Sequence, residues 1–141
     1  MKQTELARVP NAKHINWVLA SIKAHPEKWK AAWEAAYYAA KAAAWAAARD
    51  AAKDAAYDVT REAARDELRV IVYNTARNIV PEPATAYYAW TAIVALIAWD
   101  DCAYMIESEV DEIKILAKLG DQKAILLLPA CIVFNETREV V

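Results

Sequence analysis

The sequence of 141 residues contains a single glycine, Gly120. Loops that cradle phosphate groups need several glycines for close approach of the backbone. A single glycine therefore almost excludes a Walker-type or dinucleotide-binding site. Tight β-hairpin turns also rely on glycine, and its scarcity argues against a β-rich fold. Helix is therefore the expected secondary structure.

Cysteine and histidine are scarce as well, with two of each. Cys102 and Cys131 lie in apolar runs far apart in the sequence, which indicates buried free thiols in a reducing cytoplasm rather than a disulfide framework. His14 and His25 lack the i, i+4 spacing and the glutamate of a helical zinc site, and a site combining His14 with both cysteines has no support in their spacing. We therefore predict no catalytic residue, no metal and no cofactor, and hence no enzyme.

Signals for secretion and for membrane insertion are missing too. The N-terminal MKQTELARVP has no apolar signal core. The longest uncharged runs, residues 83–99 and 124–135, are respectively marginal and too short for a membrane span. We expect a cytoplasmic protein that does not associate with membranes.

Basic residues are absent between Arg77 and Lys114, a stretch that holds seven acidic residues. The net charge of −2 thus conceals an asymmetry: residues 1–80 hold thirteen Lys or Arg and nine Asp or Glu, and residues 81–141 hold four and ten. Either the basic first half packs against the acidic second half, or an exposed acidic face attracts a basic partner. Nucleic-acid binding is disfavoured because the basic residues alternate with acids instead of forming a patch.

Helix signals run along the whole chain, which we interpret as a single all-α domain over residues 1–141. It is predicted to be a bundle of five or six helices built around a very long alanine-rich helix and a central apolar helix. The alanine-rich helix has no glycine or proline inside it, so it is either one continuous rod or broken near 57–60, where β-branched residues appear. The predicted helices cover residues 11–24, 26–79, 84–106, 109–119 and 122–134.

Capping residues support these boundaries. Asn11 is expected to cap the first helix and the pair His25-Pro26 to end it. Ser108 followed by Asp111 resembles a capping box. Gly120 is expected to end a helix in the left-handed conformation and Asp121 to cap the next, in which Pro129 should introduce a kink or a split.

The alanine-rich helix has a period of four, visible in WKAAWEAAYYAAKAAAWAAARDAA from residue 29. Each block begins with a large residue and ends with two alanines. Alanine favours helix but buries little area, so its expected use is to let another helix come close. Because a row with four-residue spacing winds around the helix, we predict close, oblique crossings over residues 31–56 rather than a long coiled coil.

Two sets of side chains are candidates for a partner surface. The first is an aromatic row formed by the leading residues of the four-residue blocks. It is a candidate because Trp and Tyr dominate interface hot spots. Its alternative role is packing on the helix 84–106. The second is an acidic segment in the base-free stretch. The aromatic row is Trp29, Trp33, Tyr37 and Trp45, and the acidic segment is Glu107, Glu109, Asp111 and Glu112.

Asp100-Asp101 lies inside the predicted apolar helix 84–106. An unpaired carboxylate in a core is costly, so a buried ion pair with an arginine of the long helix is expected, the candidates being Arg65, Arg69 and Arg77. Neighbouring helical residues point about 100° apart, which makes a shared metal or an acid/base couple a weak alternative.

The stretch AIVALIAWDDCAYMIESEVDEIKILAKLGDQKAILLLPACIVF, from Ala92, resembles the C-terminal region of small alanine-rich proteins encoded by phages and prophages. The resemblance covers roughly residues 30–135 and includes an alanine-rich helix before this region. It implies expression in a bacterial cytoplasm and brings no assigned activity to any residue.

These observations predict a non-enzymatic protein-binding module, a phage-encoded modulator or inhibitor of a host protein such as a defence protein. The partner is a host protein or a second copy of the chain, with a homodimer expected. The alternative is a protein that sequesters or senses a small ligand between the aromatic row and the helix 84–106; a small hydrolase ranks third. A binder should expose aromatic residues or an acidic patch, whereas a sequestering protein should bury the aromatics around a cavity with convergent polar groups.

Overall fold

The computed structural model describes residues 11–59 and 83–141. These residues form six α-helices and one 3₁₀ helix, and this part of the chain contains no strand. The all-α helical bundle expected from the sequence is confirmed. The helices are α1 (Ala12–Ala24), α2 (Pro26–Ala39), α3 (Ala42–Val59), α4 (Pro83–Ala98), the 3₁₀ helix (Ala103–Glu107), α5 (Val110–Lys118) and α6 (Gln122–Thr137).

The first helix boundary agrees with the sequence, apart from one side chain. α1 ends at His25, and Pro26 begins α2 as its first residue. Asn11 holds the N-cap position of α1 but makes no side-chain cap; its Nδ2 donates instead to the carbonyl oxygens of Leu96 (2.9 Å) and Trp99 (3.0 Å). Asn11 therefore ties the start of α1 to the C-terminal end of α4.

The long helix predicted over 26–79 is not continuous. It ends at Ala39, Ala40 is extended with φ −92° and ψ 150°, and a new helix starts at Ala42. This second helix runs without a further break to Val59, and the alternative break near 57–60 extends into residues that the structure does not describe.

Aromatic packing accounts for the break at Ala40. In one straight helix, Trp33 and Trp45 would stand about 18 Å apart along the axis. In the structure their ring centroids are 5.4 Å apart, and the rings of Tyr37 and Trp45 are 5.6 Å apart. The turn between α2 and α3 brings the aromatic side chains together. Tertiary contacts between these rings, and not local helix propensity, stabilise the turn.

The four-residue period has a clear structural counterpart. The last alanine of nearly every block is buried, whereas Ala31, Ala35 and Ala47 are exposed. This row follows α2 and α3 and faces α4 and α6, against which both helices pack. The short methyl side chains permit close helix contact, as expected. The buried row is Ala32, Ala36, Ala40, Ala48, Ala52 and Ala56.

The apolar helix predicted over 84–106 is shorter. α4 ends at Ala98, and Asp100-Asp101 stands in an exposed turn before the 3₁₀ helix. Residues 91–97 are all buried. The Sγ of Cys102 donates to the carbonyl oxygen of Trp99 (3.1 Å), so Cys102 and Asn11 together satisfy carbonyl groups at the end of α4.

α6 packs against more of the bundle than its apolar sequence alone indicates. Residues 124–131 are buried without interruption, and α6 contacts α2, α3, α4, α5 and the 3₁₀ helix. The split expected at Pro129 is absent, since α6 runs through it. Packing on all sides offsets the hydrogen bond that proline removes. No helix in the described part of the chain is long and apolar enough to cross a membrane.

The caps around α5 agree with the sequence at one end only. The predicted capping box is wrong: Glu109 is the N-cap, without a side-chain hydrogen bond, and the Oγ of Ser108 donates to the Tyr104 carbonyl (2.9 Å). At the other end Gly120 is left-handed with φ 90°, and Asp121 accepts a hydrogen bond from the Ala124 amide (2.9 Å), both as predicted. α5 and α6 therefore meet in a sharp, well-capped turn.

Candidate partner-binding surface

The aromatic row is largely core. Trp29 is fully buried and its Nε1 donates to the Oγ of Ser21 at 3.0 Å, and Trp45 is only 5% exposed. Their assignment to a partner surface is therefore wrong. Trp33 and Tyr37 are half-buried and pack against the same core. The alternative role, packing on the predicted helix 84–106, holds for Trp33 and Trp45, whose rings contact Tyr87 of α4. Trp29 packs instead on α1, against Trp17 and Ser21.

Around Trp33 the rings form one cluster. Its centroid is 4.8 Å from Tyr88 and 5.3 Å from Tyr37, in stacked arrangements, and Tyr87 stands edge-on at 6.3 Å. The Nε1 of Trp33 is buried and has no hydrogen-bond partner among the described residues. Tyr87 and Tyr88, both on α4, were not predicted as members, and the sequence holds no specific signal for them beyond their place in the apolar run 83–99.

Arg49 covers one side of this cluster. Its guanidinium lies 5.5 Å from the centroid of the Trp45 ring, a cation–π distance. A hydrogen bond with Tyr87 raises the pKa of Arg49, which stays charged in any case. The arginine thus links α3 to α4 at the edge of the aromatic cluster.

The acidic segment, in contrast, is exposed at every position. Glu107 is paired with His14, whose Nε2 lies 3.1 Å from its Oε1. Glu109, Asp111 and Glu112 take part in no ion pair with another described residue. Three carboxylates near the start of α5 therefore face solvent without a counter-charge from the described chain.

α5 and its C-cap residue also expose two large apolar side chains, which sequence reasoning missed. Ile115 is 58% exposed and Leu119 is 79% exposed, while Ile113 and Ala117 on the other side of the helix are buried. With 100° per residue, positions 111, 112, 115 and 119 fall within a sector of about 100°. Asp111, Ile115 and Leu119 follow one another at four-residue spacing, a pattern that does not by itself distinguish an exposed row from a buried one. We call Asp111, Glu112, Ile115 and Leu119 the outward face of α5.

The expected buried ion pair is also wrong. Asp100 and Asp101 are both exposed, because α4 ends before them. Asp101 pairs with Lys123 of α6, Oδ1 to Nζ at 2.8 Å, and this hydrogen bond lowers the pKa of Asp101. The predicted partners Arg65, Arg69 and Arg77 lie outside the described residues.

The thiols of Cys102 and Cys131 are unreactive near neutral pH. Burial raises the pKa of Cys102 to about 12 and that of Cys131 to about 11. Almost no nucleophilic thiolate therefore exists near neutral pH. Across residues 11–59 and 83–141, no group of three or more His, Cys, Asp or Glu side chains is placed to hold a metal ion.

No protein-family model matches this chain, and neither a curated protein nor a solved structure does. Function must therefore be inferred from the chain's own surface and core. The outward face of α5 combines two exposed aliphatic side chains with two carboxylates that have no ion-pair partner in the described chain.

Proposed function

We propose that this chain is a non-enzymatic protein-binding module that engages its partner through the outward face of α5. The observation that carries this proposal is the exposure of Ile115 and Leu119 beside the unpaired carboxylates of Asp111 and Glu112. Apolar contact supplies affinity at an interface, and surrounding charges select the partner and speed the encounter.

Other parts of the same helix show that this exposure is local. Ile113 and Ala117 are buried, and α5 packs on α6 and α2, so the helix is held firmly while its outer side stays free. A rigid helix presenting apolar side chains binds without a large loss of conformational freedom. The bound state therefore needs little rearrangement of this chain.

The proposed setting is a bacterial cytoplasm during phage or prophage expression, with a host protein, such as a defence protein, as the target. The resemblance of the stretch from Ala92 to small phage-encoded proteins supports this setting. In that setting the chain would act as a modulator or inhibitor, by occupying a surface of the host protein.

Affinity purification from bacteria that express the tagged chain tests the proposal. We expect a stoichiometric protein to co-purify with the wild type and to be lost with Ile115→Ser/Leu119→Ser. Tyr38→Ser is the matched control, because Tyr38 is 83% exposed on α2 and should be replaceable without loss. Equal recovery with all three proteins, or no recovered protein, would contradict binding through α5.

A second candidate function, sequestering or sensing a small ligand, is favoured by one observation. The buried Nε1 of Trp33 lacks a hydrogen-bond partner in the described part of the chain, and such a group costs about 1–3 kcal/mol. A ligand with an acceptor atom beside the aromatic cluster would satisfy it. Native mass spectrometry of the purified chain distinguishes the candidates: a bound metabolite that is lost in Trp33→Phe favours sequestering over protein binding.

A further inference from the structure

We infer that the outward face of α5 binds an amphipathic helix of a partner protein, with apolar residues at i, i+4 spacing at one end and Lys or Arg at the other. This inference rests on the proposed function and names the chemistry of the partner. The occupant is argued from the spacing of the exposed side chains and from the charge around them.

The spacing of the exposed side chains matches one face of a second helix. Asp111, Ile115 and Leu119 are successive members of a four-residue row, and the row spans about 12 Å, or two turns of helix. Rows of this kind interdigitate with the equivalent rows of another helix. A partner helix that crosses α5 can therefore place two apolar side chains around Ile115 and Leu119.

The charges on α5 predict the sign of the partner's charge and the end of α5 at which that charge lies. Glu109, Asp111 and Glu112 crowd the N-terminal end of α5, whereas Leu119 and the exposed Lys118 stand at its C-terminal end. A bound helix is thus expected to set its basic residues over the start of α5 and its apolar pair over the end. A peptide with acidic residues at the same positions would be repelled.

The one paired residue of the acidic segment sharpens this polarity. Glu107 is hydrogen-bonded to His14, so the carboxylates without a partner in the described chain are those of Glu109, Asp111 and Glu112 at the start of α5. Only two large apolar side chains are exposed there, which predicts a micromolar complex rather than a permanent one. Because the charges are exposed, binding should weaken as salt rises.

A fluorescent synthetic peptide of about 18 residues, with leucines at i, i+4 spacing and lysines elsewhere on one flank, tests the inference by anisotropy at low salt and at physiological ionic strength. Wild-type protein should bind it, and a scrambled peptide of the same composition should bind at least about tenfold more weakly. A version with Glu in place of Lys should not bind.

Variants of the chain identify the face. Ile115→Ser/Leu119→Ser should weaken binding by about tenfold or more, and Asp111→Asn/Glu112→Gln by about fivefold at low salt and less at higher salt. The matched controls are Tyr38→Ser, an exposed aromatic elsewhere, and Glu27→Gln, an acid in the first turn of α2 as Asp111 is of α5. Both controls should bind like the wild type. Circular dichroism verifies that each variant is folded.

Three results would overturn the inference: no binding of the leucine–lysine peptide, equal binding of the scrambled peptide, or equal loss in the control variants.

Self-association that Ile115→Ser/Leu119→Ser abolishes, measured by sedimentation, would instead assign the face to a second copy of the chain. If a co-purified protein is lost with this variant but carries no basic helix, the inference fails while the proposed function stands. If the partner co-purifies equally with the variant and with the wild type, the proposed function fails.

Discussion

Trp29 shows how one residue is committed to the core by both its ring and its polar atom. It is fully buried, its ring packs 6.4 Å from that of Trp17, and its Nε1 donates to Ser21 on α1. A buried N–H without a partner would lose the hydration it has in the unfolded chain. The bond to Ser21 therefore joins α1 and α2 on the inner side of the turn at His25.

Ser21→Ala should destabilise the chain by about 1–2 kcal/mol, because the unsatisfied Trp29 N–H outweighs the small helix-propensity gain of alanine. Urea unfolding measures the difference. Ser108→Ala is the control, since its hydroxyl makes an exposed hydrogen bond and its loss should cost less than about 0.5 kcal/mol. Equal effects of the two substitutions would show that the buried hydrogen bond stabilises the chain no more than the exposed one.

At the scale of the helix, the four-residue period separates alanines that touch another helix from alanines that face water. Ala36 is fully buried, and its neighbour Ala35 is exposed. We expect Ala36→Leu to cost about 1–3 kcal/mol or more, because added methylene groups force α2 away from its neighbours. Ala35→Leu should change the free energy of unfolding by less than about 0.5 kcal/mol. Thermal and urea unfolding of the two variants check this, and similar stabilities would contradict close packing of the buried row.

The break between α2 and α3 gives a second prediction for an element. Proline is favoured as the first residue of a helix, so Ala42→Pro at the start of α3 should change the free energy of unfolding by about 0.5 kcal/mol or less. In a continuous helix the same substitution would cost about 3 kcal/mol or more. The exposed Ala47, inside α3, supplies the matched control: Ala47→Pro should show that larger cost. A large loss from Ala42→Pro would mean that the helix continues through Ala40.

The same elements show what the sequence could and could not predict. Helix content, the turn at His25-Pro26 and the cap at Asp121 follow from local chemistry and were predicted. The break at Ala40 has no local signal, because alanine favours helix on both sides and only the distant aromatic rings reward a turn there. The early end of α4 did have a signal in Asp100-Asp101, two adjacent carboxylates that a buried helix would have to desolvate.

For the candidate surface, sequence patterns identified charge better than exposure. The acidic segment could be predicted as a surface because carboxylates are rarely buried without a partner. The aromatic row could not be assigned, since Trp and Tyr serve equally in cores and at interfaces. Ile115 and Leu119 look like core residues in the sequence, and only the position of α6 decides that Ile113 faces inward and Ile115 outward.

Between the two halves of the described chain, three side-chain pairs connect residues of the first half to acids of the second. His14 pairs with Glu107, His25 with Glu139 and Lys28 with Glu136, each joining a side chain of the first half to an acid of the second. These pairs are exposed and contribute little stability, but they give the two halves a preferred register. The carboxylates of α5 take part in no such pair among the described residues, so an acidic surface stays exposed there.

The described helices share one core, so they should unfold together. Leu127 is fully buried on α6, the helix that contacts α2, α3, α4 and α5. Leu127→Ala should cost about 2–5 kcal/mol, and circular dichroism and tryptophan fluorescence should report one coincident urea transition. Leu119→Ala, on the exposed side of α5, should leave that transition nearly unchanged while weakening partner binding. A fluorescence change that precedes the loss of helix would show that the aromatic cluster opens on its own, and would divide the bundle into two cooperative units.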